Sequence, residues 1–164
     1  KTKKPRLKAP PGTCDTHFHI YGPQARFPLN EARPLEVEDS TFDDVVELHD
    51  ALGVERGVIV QSLMQGHSYE YMLNALCRDP AHFRGVAMPA PNITDAELEI
   101  LDQAGVVGAR FAFRWSADID MNMIARIHEL GWHPQFWFRG EDEALAWRDT
   151  MLAVPGNFVI DHMG

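Results

Sequence analysis

The residues best suited to chemistry lie near the start of the chain, in Thr13-Cys14-Asp15-Thr16-His17-Phe18-His19-Ile20. Side chains alternate along an extended strand, so His17 and His19 share a face, roughly 7 Å apart, with Asp15 one layer behind them. Two imidazoles in that relation can converge on a metal ion or on a polarised carbonyl. The same spacing also arises by chance on exposed strands, where the rings are merely solvated. The pair therefore calls for partners elsewhere.

Several residues answer. His162 closes an apolar run, Val159-Ile160-Asp161-His162, where it is either a third functional histidine or a cap on a backbone carbonyl. In Gly108-Ala109-Arg110-Phe111-Ala112-Phe113 the two phenylalanines share one face and Arg110 takes the other, with Arg114 continuing its row. An arginine on an inner face is costly unless paired, so Arg110 needs an internal carboxylate or one on a substrate. Trp137 either lines a pocket or packs outward. Ser62 ends an apolar run without the Gly-x-Ser-x-Gly setting of a nucleophile, which favours a polar strand-end role. His67 is a loop candidate. His49 reads as a packed helix histidine, and His82, His128 and His133 as surface or structural residues.

The elements that must position these side chains follow a repeating pattern. Strands are expected at 13–20, 56–62, 83–89, 108–113, 133–138 and 158–162. Helices are expected at 40–52, 69–78, 94–104, 119–130 and 141–152, with Ser40 or Thr41 as one N-cap and Thr94 with Glu97 as a capping box. Residues 21–39 form a proline-studded loop that could wall a site. Such alternation predicts a parallel α/β fold. A Gly-rich phosphate turn after the first strand is absent from the sequence, which favours a (β/α)8 TIM-type barrel over a doubly wound sheet, with chemistry at the C-terminal strand ends. A complete barrel takes about 250 residues, so these 164 residues are expected to hold about six β/α steps of a truncated one.

Composition bounds the rest. With 15 Lys and Arg against 24 Asp and Glu the net charge is −9, which disfavours nucleic acid or an anionic membrane as partner. Residues 1–12 read as a flexible basic, Pro-rich arm ahead of a barrel portion at 13–164. Two distant cysteines, Cys14 and Cys77, and no apolar membrane span point to a reducing cytoplasm.

The motifs Cys14-Asp-Thr-His-Phe-His-Ile-Tyr-Gly-Pro23, Val58-Ile-Val-Gln-Ser62, Gly108-Ala-Arg-Phe-Ala-Phe113 and Val159-Ile-Asp-His-Met-Gly164, in this order, resemble the amidohydrolase superfamily (amidohydrolase 2 type). More narrowly they resemble its branch of 2-pyrone-4,6-dicarboxylate lactonases. The resemblance implies a distorted (β/α)8 barrel that opens a carboxylate-bearing lactone by water attack, a step of aromatic compound catabolism. It assigns His17, His19 and His162 to catalysis, and to a metal where one is bound. It assigns Arg110 to a substrate carboxylate, with Arg114, Trp137 and Ser62 as further substrate contacts. Trp137 stands where the lactonases have a tyrosine, Ser116 where they have a second arginine, and Leu63 where they have a serine. These departures bear on the dicarboxylate substrate more than on the reaction class.

Superfamily members bind one or two divalent metals, whereas the lactonase branch needs none, so zinc or manganese dependence and metal independence both stay open. The superfamily takes its water-activating aspartate from an eighth strand, and the 164-residue chain is expected to be inactive without it. The implied partner is a small anionic lactone or carboxylate, and a homo-oligomer is compatible with the fold. The alternatives are a metal-dependent decarboxylase or hydratase of the same superfamily, and an inactive barrel fragment.

Overall fold

The computed structural model describes residues 3–33, 35–112 and 119–163, with the backbone alone at residue 163. Of the sequence candidates, Phe113, Arg114 and Ser116 lie outside the described residues. The chain divides after Val86 into two compact units.

In the first unit, β1 (Cys14–Phe18), β2 (Arg56–Val60) and β3 (Phe83–Ala87) run parallel, β2 pairing with both neighbours. Between β1 and β2 lies α1 (Phe42–Leu52), and between β2 and β3 lies α2 (Glu70–Arg78). Parallel pairing needs such crossovers, and helices covering the sheet explain why β2 is apolar and β-branched rather than alternating. Thr41 is the N-cap of α1: its hydroxyl accepts from the Asp44 amide while the Asp44 carboxylate takes the Thr41 amide. The helix stops at Gly53, whose φ of 78° is left-handed backbone. Its buried stripe is Phe42, Val45 and His49, and Phe42 meets the Phe83 ring edge-on at 4.9 Å. Ile20, Ile59, Val60, Met72 and Leu76 are fully buried, each worth about 1.5–3 kcal/mol of burial.

Two local features of this unit go beyond the pattern. A short 3-10 turn, Leu63–Gln65, follows β2. The loop at 21–39 is closed at its base, where Tyr21 and Ser40 exchange backbone hydrogen bonds of 2.7 and 2.8 Å. Within the expected arm, Ala9 donates to the Leu52 carbonyl and Gly12 to Glu55, so residues 9–12 are tied to the unit.

The second unit carries α3 (Asp95–Gln103), β4 (Val106–Ala112), α4 (Met121–Glu129), β5 (His133–Trp137), α5 (Glu141–Ala146), α6 (Arg148–Leu152) and β6 (Val159–Ile160). β5 pairs parallel with β4 and β6. The capping box at Thr94 and Glu97 forms as expected. On one face of the sheet Phe136 is fully buried between Phe111 and Phe158, at 5.7 and 5.8 Å. The helix expected at 141–152 is instead two, broken at Trp147 (φ −101°, ψ 4°). Their only buried side chain is Met151, so packing does little to hold one straight helix. The strand expected at 158–162 shrinks to Val159–Ile160, because residues 161–163 turn out of the sheet.

Candidate functional site

In the first unit the side chains of interest gather at the C-terminal end of β1. The His17 and His19 rings stand 5.1 Å apart, edge to face. His19 Nδ1 lies 2.7 Å from the Val60 carbonyl oxygen at the end of β2. A carbonyl only accepts, so Nδ1 carries a proton and the neutral ring presents a lone pair at Nε2. Such an imidazole can take a proton from water or ligate a cation; only as imidazolium can it donate to an oxyanion. Tyr21 continues the row, its ring 6.4 Å from that of His19 and its hydroxyl donating to Ser62 Oγ at 2.9 Å.

Ser62 has a structural task. Its Oγ also accepts from the Met64 amide, and its own amide donates to Gln65, which caps the 3-10 turn. The residue is buried, so its hydroxyl serves this network and the Tyr21 contact. His67 is exposed in the following loop.

Asp15 departs from expectation. It was expected one layer behind the histidines, yet its Oδ2 lies 3.2 Å from His49 Nε2 on α1, while its Oδ1 accepts from the His17 amide at 3.2 Å. His49 is packed, as expected, but it also holds a carboxylate.

In the second unit Arg110 has an internal counter-charge. Its Nε and Nη2 donate to Asp161 Oδ2 at 2.9 and 2.8 Å, and Gln135 Nε2 donates to Asp161 Oδ1 at 2.6 Å. The Arg110 side chain is 4% exposed and that of Asp161 0%. Arg110 pairs in register with Gln135, and Ala112 with Trp137, so Trp137 shares the sheet face of Arg110 and Gln135. That resolves its orientation away from the Phe136 layer.

His162 follows Asp161 directly. Its φ of 58° makes it the one non-glycine in left-handed backbone among the described residues, a conformation that costs a residue with a Cβ about 1–3 kcal/mol and clusters at functional sites. The residue is exposed and lines a recess of about 210 Å³ with Asp161, Phe138, Arg139 and Glu141.

The residues that sequence reasoning missed each left a trace. Tyr21 has the same period-2 parity as His17 and His19. Gln135 is a polar residue in an apolar strand, in register with Arg110. Asp161 precedes a motif histidine. His49 interrupts an apolar helix stripe.

Among the described residues no three His, Cys, Asp or Glu side chains converge as a metal centre. The donor chemistry of the His17/His19 pair nevertheless fits a divalent cation, since a ligating histidine commonly has its other ring nitrogen fixed by a carbonyl, as His19 does.

With this geometry in place, comparison with known proteins is informative. The Amidohydrolase family model (Amidohydro_2) matches residues 14–164. The chain belongs to the amidohydrolase family. It is 36% identical over 167 residues to a 2-pyrone-4,6-dicarbaxylate hydrolase of Comamonas testosteroni, covering 98% of this chain and 54% of that protein. It is 35% identical to a 4-sulfomuconolactone hydrolase of Hydrogenophaga intermedia, covering 97% of this chain and 54% of that protein. Among solved structures, a probable 2-pyrone-4,6-dicarboxylic acid hydrolase of Acinetobacter baumannii with citric acid bound superposes with a TM-score of 0.84 at 22% identity, over 93% of this chain and 59% of that one. The fold of this amidohydrolase chain is thus the (β/α)8 TIM-barrel type, represented by six β/α steps. The chain spans about half the length of the curated relatives it matches. No helix among the described residues is long and apolar enough to cross a membrane.

Proposed function

We propose that the protein to which this chain belongs hydrolyses a small, anionic, carboxylate-bearing lactone. Water adds across the acyl C–O bond of the ring and yields a carboxylate and a ring-opened hydroxyl. The observation that carries this reading is the His17/His19 pair, 5.1 Å apart with the tautomer of His19 set by Val60. It stands in a family member whose relatives are named as lactone hydrolases.

His17 and His19 act on the reacting carbonyl and the attacking water. The aspartate that the family resemblance assigns to water activation takes the water's proton, and His19, its Nδ1 proton held by the Val60 carbonyl, stabilises the tetrahedral oxyanion as imidazolium, the kind of contact that dominates acyl transfer. The family motif adds His162 as a third histidine of the reaction. Where a divalent cation is bound, His17 and His19 would hold it, and it would polarise the carbonyl and acidify water. Arg110 and Arg114 carry the substrate carboxylate, with Trp137 beside Arg110. Arg110 arrives with its charge balanced by Asp161, so it orients the ring more than it attracts it.

The test is ring opening of 2-pyrone-4,6-dicarboxylate and of 4-sulfomuconolactone by the intact protein, followed by absorbance with and without chelator. The expected result is hydrolysis of at least one lactone, lowered about 100-fold or more in His17→Ala and His19→Ala. No hydrolysis of either lactone, with or without added zinc or manganese, would overturn the reading. Loss on chelation, restored by metal, would assign a cation to the pair.

A further inference from the structure

We propose that His49 and Asp15 are a positioning pair that locks an irregularity in β1 and thereby sets how His17 and His19 converge. The inference deepens the function proposed above, since it rests on reading those two histidines as the working pair.

The register supplies the first observation. Asp15 pairs with Gly57 and Phe18 with Ile59, so three steps along β1 match two along β2. One extra residue is accommodated between Asp15 and Phe18, which is a β-bulge. Parity supplies the second. Asp15 and Phe18 lie three residues apart and would face opposite ways on a regular strand. Both meet His49: Asp15 Oδ2 at 3.2 Å, and the Phe18 ring edge-on at 5.3 Å. The bulge turns Asp15 away from the histidine row and onto α1.

A bulge leaves an amide off the ladder, and here the Asp15 carboxylate meets one, the His17 N–H, at 3.2 Å. One oxygen of Asp15 thus holds the His17 backbone and the other holds α1. The His49 ring is itself held, stacked on Phe83 at 6.1 Å and 6° between planes. In the neutral ring that donates from Nε2 to the carboxylate, Nδ1 bears the lone pair, and among the described residues it has no hydrogen-bond partner although buried. Leaving a polar atom unsatisfied inside the protein is unfavourable. An apolar ring would fill the same space without that loss, so the N–H offered to Asp15 is what distinguishes histidine here. The two histidine rings at this irregularity stand 5.1 Å apart, edge to face.

The test is NMR of the intact protein, reading the imidazole 15N signals of His17 and His19 and hydrogen exchange at the His17 amide. His49→Phe keeps a ring for Phe83 and removes the N–H; His49→Gln returns an N–H donor. In His49→Phe the His17 amide is expected to exchange about tenfold faster or more and both ring spectra to move, with His49→Gln close to wild type. kcat falls in the same order while KM changes little. Where His49→Phe does not fold, Asp15→Ala, at a half-exposed position, makes the same test. Ring signals and amide exchange that stay at wild-type values in folded variants, with only Tm lowered, would reduce the pair to a helix–strand brace and overturn the proposal. These readings need no substrate. A protein that opens no lactone overturns the function and leaves this test standing, and an active lactonase whose rings do not move overturns the positioning alone.

Discussion

Each unit carries a histidine at a strand end and, just upstream, a carboxylate that is fastened, but the two fastenings differ in kind. The Asp15 side chain is 37% exposed and meets the His49 imidazole at 3.2 Å. The Asp161 side chain has no exposed surface and meets the Arg110 guanidinium at 2.8 Å and the Gln135 amide at 2.6 Å. Water still reaches the first carboxylate, so its hydrogen bonds compete with hydration and contribute modestly. The second is desolvated, so its charge is tolerable only because a permanent cation and a neutral donor both face it. Both carboxylates sit at unusual backbone, the bulge between Asp15 and Phe18 and the left-handed turn at His162. The difference is one of cost: a bulge is an ordinary adjustment, whereas left-handed backbone at a histidine needs surroundings that enforce it.

That contrast is open to direct test by stability measurements. Asp161→Ala is expected to lower unfolding free energy by about 3–5 kcal/mol, because it strands a buried guanidinium. Asp15→Ala is expected to cost only about 1 kcal/mol, the net value of an accessible hydrogen bond. Urea denaturation measures both. Combining Asp161→Leu with Arg110→Met removes both charges and recovers much of the loss; a double variant as unstable as Asp161→Ala would show that charge balance is not what matters.

A smaller effect has the opposite sign. His162→Gly removes the Cβ from left-handed backbone and is expected to raise stability by up to about 1 kcal/mol while lowering lactone hydrolysis. Unchanged or lower stability would argue that the φ of 58° stores no strain.

The smallest effect separates both fastenings from ordinary burial. His133 starts β5, where a Cβ on Gly108 would stand 2.7 Å from its Cε1. Burial lowers its pKa below the usual imidazole value, opposed by a hydrogen bond with Val107. The unfolded chain therefore takes up the proton more readily. Its destabilising effect is absent above about pH 6.5 and grows as pH falls from there through the lowered value. Between pH 7.5 and 5.5 the wild type should lose stability relative to His133→Gln by less than about 1 kcal/mol. Equal pH dependence in both proteins would contradict this.

Much of the architecture was legible in the sequence. Buried parallel strands announce themselves as apolar β-branched runs, and the Thr94 box and Gly53 stop are local chemistry that works as written. The histidine pair was legible for the same reason, since side chains two apart on a strand share a face. Less was legible where packing decides. Residues 141–152 keep helical propensity throughout, yet a helix with one buried side chain is free to break at Trp147. His162 belongs to an apolar run that pairs for only two residues before it turns.

The sequence by itself therefore determined the order of strands and helices, the caps, and which residues could do chemistry, because each depends on neighbours a few positions away. Which carboxylate faces which partner was decided only in three dimensions. Ser62 became a cap because Gln65 and Tyr21 reach it. Arg110 found Asp161 across 51 residues. Asp15 turned to His49 across 34 because one extra residue in β1 reversed its parity. A bulge is a mismatch between two strands, and neither strand alone contains it.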